Sequence, residues 1–533
     1  MATKKSFLLL AVILTIAIVL GACGGKKDGN SGSSTPAAES SAPASKPSAN
    51  SAEPSGDTGT EGGIDTSEEV RLKMIFVGPK PVDYDSVFAE INKKLKEKIN
   101  ATIEGEFLDW SDWAQKYPLK LAANEDFDLI YSANWAGYND QALKGGFLEL
   151  TEEMLSKYMP MTWEAMPKVA WDQAKVNGKL YMVPQNRGES VEKLILYRED
   201  LRKKYDLPAI DSPEAYANYL KTIAQKEKGI LPFTPETGDW KYHNLDRVLL
   251  KQEKEWNMFD LDMPFAFKLN DPQGQIFNVY ETQEFKDLAD YYKDLAANNA
   301  WSKNALNSKN DHQQDFKQGK TASITHNNGT LGSLMALMRQ ENSPYEVALA
   351  DINPDKAKSV AISTQNGTSV HATSKNPERA LMFVDLMQND KELHDLMMYG
   401  IEGVHYEKSG DDKYVATDKN PNYTGFSNWC FNSPLNRDNV DFPQEASDLA
   451  KKWEANVYHY PLETFVFDNS SVKTEISNIG NVMLRYAIPL EYGVVKDVDS
   501  GLAELNKQLK AAGLEKVRQE LQSQVDAFLA ARK

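Results

Sequence analysis

Between Val70 and Tyr131 the hydrophobic period of the sequence switches back and forth, and this rhythm constrains the fold more than any other feature. VRLKMIFV (Val70–Val77) is a β-type run, broken by Gly78-Pro79-Lys80-Pro81. Val87, Ile91, Leu95 and Ile99 then recur at helical spacing. Ala101–Leu108 predicts a second strand with Ile103 and Phe107 alternating, residues 113–121 a second helix, and residues 127–131 a third strand. Strand, helix, strand, helix, strand is the pattern of a parallel sheet covered by helices, because parallel neighbours need crossover connections. Ligands on such sheets sit beyond the carboxyl ends of the strands, so residues 78–84, 109–111 and 132–138 border the expected site.

The chain opens with an export signal. Lys4 and Lys5 precede an apolar run over 7–20, interrupted only by Thr15, which is shorter than the ~20 residues of a spanning helix. The run ends in Leu20-Gly21-Ala22-Cys23, which resembles a bacterial lipobox. That resemblance implies removal of residues 1–22 and a diacylglyceryl group on the Cys23 sulfur, and the small residues before the cysteine argue against an ordinary secretory signal. From 26 to 66 the composition is dominated by Ser, Pro, Ala, Gly, Asp and Glu, with a single Ile and no aromatic residue. Such a segment cannot bury enough apolar surface to order itself. Residues 23–66 therefore read as a lipidated, flexible tether, and the expected location is the extracytoplasmic face of a cell membrane, in a Gram-positive envelope.

The body from 67 to 533 is too long for one core and predicts two lobes. The formal charge of -17 becomes more negative once Lys4 and Lys5 leave, which argues against nucleic acid or an anionic membrane surface as partner. With 10 Trp, 23 Tyr and 20 Phe, a neutral or mixed-polarity ligand is favoured over a polyanion. Besides Cys23 the chain has only Cys430, which lies between Trp429 and Phe431 and reads as a small buried hydrophobe.

Catalytic patterns are poor. Gly319-Lys320-Thr321 imitates the end of a phosphate loop, but Gln314 stands where its first glycine belongs, leaving a helix-to-strand turn. Residues 497–501 (DVDSG) start like a calcium loop and fail its spacing, reading instead as a solvated helix start. The histidines lack metal-ligand spacing, and nothing brings two carboxylates across a glycosidic bond. The expectation is no enzyme, no cofactor and no metal.

Ordered along the chain are GKLYMVP (178–184), YREDLRKKYDLP (197–208), FKQGKTASI (316–324), VHATSKNPERALMFVDLM (370–387), YGIEGVHYE (399–407), PLETFVFD (461–468) and LEYGVV (490–495). In this order, behind the lipobox, they resemble the extracellular solute-binding lipoproteins of carbohydrate ABC importers, in their long oligosaccharide-binding subgroup. The resemblance implies an α/β, two-lobe periplasmic-binding-protein-like fold of type II. Each lobe would be a mostly parallel sheet flanked by helices, with a ligand cleft between them. It places lobe one at 67–184 plus 362–398 and lobe two at 185–361 plus 399–533. It also implies an oligosaccharide ligand, ABC permease transmembrane subunits as partners, a lipid-anchored monomer, and ATP hydrolysis on separate subunits. Some relatives carry a calcium loop where this chain reads Ala224-Gln225-Lys226-Glu227-Lys228-Gly229-Ile230, which has too few oxygen ligands.

Sugar rings need aromatic faces for their C–H patches and planar polar groups for their hydroxyls. Trp135, flanked by Asn134 and Tyr138, is the leading candidate. Asn186 and Arg187 follow at the first crossover, then Trp240 and Tyr242, Asn327 and Asn328, Glu402 and Tyr406, and Trp429. Each has a structural alternative: Glu402 as a turn cap, Trp429 as core, Asn327-Asn328-Gly329 as a turn. Leu502, Leu505, Leu509, Leu514, Val517, Leu521 and Phe528 predict a C-terminal helix packed on lobe two. Capture of a peptide or other polar solute, or cleavage of polysaccharide, are the competing readings.

Overall fold

The computed structural model describes residues 64–532, apart from 124, 188–191, 236–244, 246, 260–262, 309–310, 360–362 and 456. The leader, Cys23, most of the tether, Trp240 and Tyr242 lie outside the described residues.

The N-terminal rhythm becomes β1 (Val70–Val77), α1 (Tyr84–Ile99), β2 (Ala101–Leu108), α2 (Trp113–Ala122) and β3 (Leu129–Ser132). β1 lies between the other two and runs parallel to both, in register from Val70↔Ala101 to Val77↔Leu108 on one side and Met74↔Leu129 on the other. Leu72, Met74, Ile75, Phe76 and Val77 are all buried, because helices cover both faces of a parallel sheet. Gly367–Val370 joins β3 in the antiparallel sense, and Val183–Pro184 closes the far edge.

The second lobe is built around Lys193–Arg198, which pairs antiparallel with both Ser323–Asn327 and Val347–Ala350. Its side chains alternate as a strand dictates. Ile195 and Tyr197 enter the large second core, while Leu194 and Leu196 enter a smaller cluster with Trp453. A further sheet, Trp256–Met258, Phe265–Lys268 and Phe277–Asn278, is also antiparallel. The expectation of mostly parallel strands thus holds for β1 to β3 and fails for these sheets. The cause is topological: Lys193–Arg198 and Gly367–Val370, the strands that arrive from the other lobe, run against their neighbours, and the strands of the third sheet follow one another directly along the chain, each turning back on the last.

Two expectations drawn along the sequence shift. Residues 399–431, placed with lobe two, contribute Tyr423, Phe426, Cys430 and Phe431 to the first core. Apolar side chains do not reveal from sequence which core they join. The C-terminal helix is two helices, Val498–Ala511 and Leu514–Ala530, broken at Gly513, whose φ of 98° is left-handed. Both pack their apolar stripes into the second core, as expected. Asp497 caps the first of them by accepting from the Ser500 N–H at 2.8 Å.

Candidate functional site

The carboxyl ends of β1, β2 and β3 converge on a group of aromatic rings. After β2, the Asp109 side chain accepts from the Ser111 N–H and hydroxyl at 2.9 and 2.8 Å, folding a tight turn that presents Trp110. Those two bonds hold the Asp109 carboxyl below its ordinary pKa. After β3, Asn134 Oδ1 accepts from the Trp135 N–H at 2.7 Å, and Gly137 turns the chain at φ 78° into α3 (Tyr138–Leu143).

The third ring comes from far along the chain. Segment 425–431 crosses the end of β1, where Ser427 N–H donates to Val77 O at 2.8 Å and Ser427 Oγ accepts from Val77 N–H at 2.9 Å. A Cβ on Gly78 would lie 2.4 Å from Gly425 O, so only glycine lets the two backbones approach. The 3₁₀ turn Asn428–Phe431 then sets Trp429 above β3 and buries Cys430, whose thiol burial pushes up to about 12.

Trp110 and Trp429 lie with ring planes 7° apart and centroids 6.0 Å apart, and Trp110 and Trp135 with 29° and 6.5 Å. Trp113 stands edge-on to Trp135 at 5.5 Å and 82°. Each of the three indole N–H groups is committed, Trp110 to Gly425 O at 3.0 Å, Trp135 to Gln365 O at 2.9 Å and Trp429 to Tyr131 Oη at 3.3 Å. Their edges are therefore fixed; Trp110 is exposed, while Trp135 and Trp429 are half-buried and pack against the first core.

Beneath them runs a buried chain of neutral polar groups. Tyr131 Oη donates to Asn366 Oδ1 at 2.6 Å, and Asn366 Nδ2 and Asn432 Nδ2 donate to Gln185 Oε1 at 3.1 and 3.3 Å. Gln185 and Asn366 belong to two of the three connections between the lobes, and Asn432 to the third, so the rings are mounted where the lobes join. The half-buried side-chain amide of Asn186 makes no hydrogen bond among the described residues, although its backbone N–H donates to Asn432 O at 2.8 Å.

The structure therefore gathers Asn134, Trp135, Asn186 and Trp429, and adds Trp110 and Trp113. Trp110 lies in the 109–111 loop that the strand-end rule marks out, but a lone tryptophan in a loop has no periodicity to single it out. Other candidates are otherwise engaged. Tyr138 is 1% exposed, donates to Ala174 O at 2.6 Å and stacks on Phe147. It points inward as the first residue of α3, and is core. Tyr406 is 2% exposed between Tyr399 and Tyr414, and is also core.

Arg187 pairs with Asp438 at 3.2 Å and Glu402 with Lys408 at 2.7 Å, both at the surface. Asn327 Oδ1 caps the helix Asn328–Gln340 by accepting from the Thr330 N–H at 2.8 Å, and Asn328 Nδ2 donates to Ala446 O at 2.8 Å. These two asparagines begin a helix rather than form a bare turn. In the 224–230 segment the Glu227 carboxylate accepts from Lys204 and Tyr205 at 2.6 and 2.7 Å. No group of His, Cys, Asp and Glu among the described residues could hold a metal ion.

Two α/β lobes joined by crossovers, with an aromatic surface at the junction, define a two-lobed solute-binding protein of the type II periplasmic class. Residues 78–393 match the family described as bacterial extracellular solute-binding protein, and the chain belongs to it. Residues 461–530 match a second family, described as a domain of unknown function (DUF3502). A curated relative from Streptococcus pneumoniae serotype 4, a carbohydrate ABC transporter substrate-binding protein, is 26% identical over 87% of this chain and 92% of its own. The polygalacturonan/rhamnogalacturonan-binding protein YtcQ of Bacillus subtilis is 33% identical over 26% of this chain and 29% of its own. Among solved structures, the N-glycan transport solute-binding protein NgtS of S. pneumoniae in complex with Man1GlcNAc superposes with a TM-score of 0.72. It is 24% identical and covers 87% of this chain and 100% of its own.

Proposed function

We propose that this chain captures a neutral oligosaccharide against Trp110, Trp135 and Trp429 and delivers it to the permease of an ABC importer. The observation that carries this reading is the near-parallel pair Trp110 and Trp429 at the strand ends, since flat apolar faces suit the C–H patches of pyranose rings. The names of the relatives from S. pneumoniae point the same way. Asn134 and Asn186 are placed to meet ring hydroxyls with amide groups that both donate and accept. A solute touching both lobes would stabilise the closed form by its differential affinity, and the permease would read that form. Cys23 would carry the lipid anchor, leaving the body tethered outside the membrane.

An acidic glycan is the second reading, favoured by the name of the Bacillus relative. Against it stands the neutral character of the groups that mount the rings, and the engagement of nearby Arg187 with Asp438. A thermal-shift panel of neutral and uronic oligosaccharides separates the two, because ligand binding to the native state raises its melting temperature. Stabilisation by neutral glycans is expected; stabilisation by uronates alone selects the second reading. Incubation with the bound sugar is expected to leave it intact, and new reducing ends would make the protein an enzyme. Cys23→Ser is expected to move the protein out of the membrane fraction.

A further inference from the structure

The C-terminal family of unknown function begins at residue 461, and its first residues occupy a singular place. Segment 461–469 starts and ends on the second lobe. Leu462 is buried in the second core, and Phe465 packs edge-on to Phe259 and Phe528 at 6.1 and 5.4 Å. Gln524, on the helix Leu514–Ala530, accepts from Asp468 N–H at 2.9 Å and donates to Asp468 O at 2.8 Å. The segment must therefore travel with the second lobe.

Its remaining groups reach the first lobe. Phe465 and Phe467 pack on the second core, but Val466 between them packs on the first. Glu463 Oε1 accepts from Gln173 Nε2 at 3.0 Å, and Asn469 Nδ2 donates to Asp140 Oδ1 at 3.0 Å. Gln173 ends the helix Lys168–Gln173, and its Oε1 accepts from Ser363 N–H of the second crossover at 2.7 Å. Asp140 lies on α3, directly after the turn that carries Trp135. The second oxygen of Glu463 is engaged by His459 Nδ1 at 2.8 Å.

The chain passes between lobes through 184–193, 359–367 and 431–444. Those connections are covalent and cannot let go. Segment 461–469 is different, because its ties to the first lobe are non-covalent and can break when the lobes separate. We propose that this domain carries a releasable strap, 461–469, which binds the second lobe to α3 and to Gln173 and so sets the balance between closed and open forms. The proposal rests on the two-lobed binding reading and adds to it a determinant of affinity outside the sugar surface, since affinity scales with the fraction of competent form.

The test needs no solute. In the full chain carrying Cys23→Ser, spin labels at Lys93→Cys on α1 and Ala503→Cys on the helix Val498–Ala511 report the interlobe distance by pulsed electron resonance, with Cys430 buried and unlabelled. Glu463→Ala with Asn469→Ala is expected to raise the ratio of long-distance to short-distance population about thirtyfold, the effect of losing two hydrogen bonds of ordinary strength. Asp140→Ala removes one of those bonds from the opposite lobe and must shift the ratio in the same direction. Distance distributions unchanged in both variants overturn the strap. Such a result leaves the sugar reading intact, because no sugar enters the measurement.

Discussion

The indole of Trp110 lies parallel to that of Trp429, within 7°, although the two residues are more than three hundred positions apart. Trp110 is 38% exposed and hangs on a surface turn, so its ring is there for something other than core packing. Trp110→Ala is expected to lower unfolding stability by less than about 1 kcal/mol, in line with other surface truncations. A fall of ~3 kcal/mol or more in urea unfolding, the cost of a core aromatic, would show that the ring is structural.

Gly78 tests how the third ring is brought in. Its φ is 114°, and an added Cβ would meet Gly425 O at 2.4 Å and Phe426 Cα at 2.7 Å. Gly78→Ala is expected to cost ~1–3 kcal/mol and to alter the near-ultraviolet circular dichroism of the tryptophans, because segment 425–431 must lift. An unchanged spectrum would contradict the stitching of that segment onto β1.

Arg437 and Asp395 form a buried, doubly hydrogen-bonded pair, with Nη2 to Oδ2 at 2.8 Å and Nε to both carboxylate oxygens at 3.1 Å. They fasten the 432–443 connection to the helix Lys391–Tyr399. Removing Arg437 leaves the buried Asp395 carboxylate with Lys391 Nζ at 3.3 Å but without its bidentate partner, so Arg437→Met is expected to cost about 2–3 kcal/mol, short of the full cost of an unpaired buried charge. Arg437→Met with Asp395→Leu should recover part of that loss in the same denaturation assay.

Two buried imidazoles, His371 and His394, and the half-buried His326 predict acid sensitivity. Burial lowers the pKa of His326, His371 and His394 beneath the ordinary 6.5, for His394 against the opposing bonds to Met387 O and Asn436. The unfolded chain therefore binds more protons below that pH. Their contribution to stability is fully present above about pH 6.5 and is lost as pH falls through the folded values. Denaturation midpoints should drop between pH 7.5 and 5.5, and His371→Asn should flatten the dependence.

Much of the first lobe was legible in the sequence because local signals agree there. Apolar period and the Gly78–Pro81 break bound β1, α1 and β2 without help from distant residues. Trp135 could be reached by the same route, since its loop follows a strand that β-type residues define. Nothing local, however, separates Trp135 from Tyr138. One faces the junction and the other the core because a helix starts between them. Strand direction around Lys193–Arg198 was hidden for a related reason: it depends on where residues 323–327 return, far along the chain. Trp429 could be named but not placed, because its position depends on Gly78.

Calorimetric titration of the body with a neutral oligosaccharide, a Man-GlcNAc glycan first, bears most directly on the central claim. Wild-type protein is expected to bind, and Trp110→Ala, Trp135→Ala and Trp429→Ala each to lose ~1–3 kcal/mol of affinity, with the native fold retained. A neutral oligosaccharide bound equally well by all three folded variants would contradict the account.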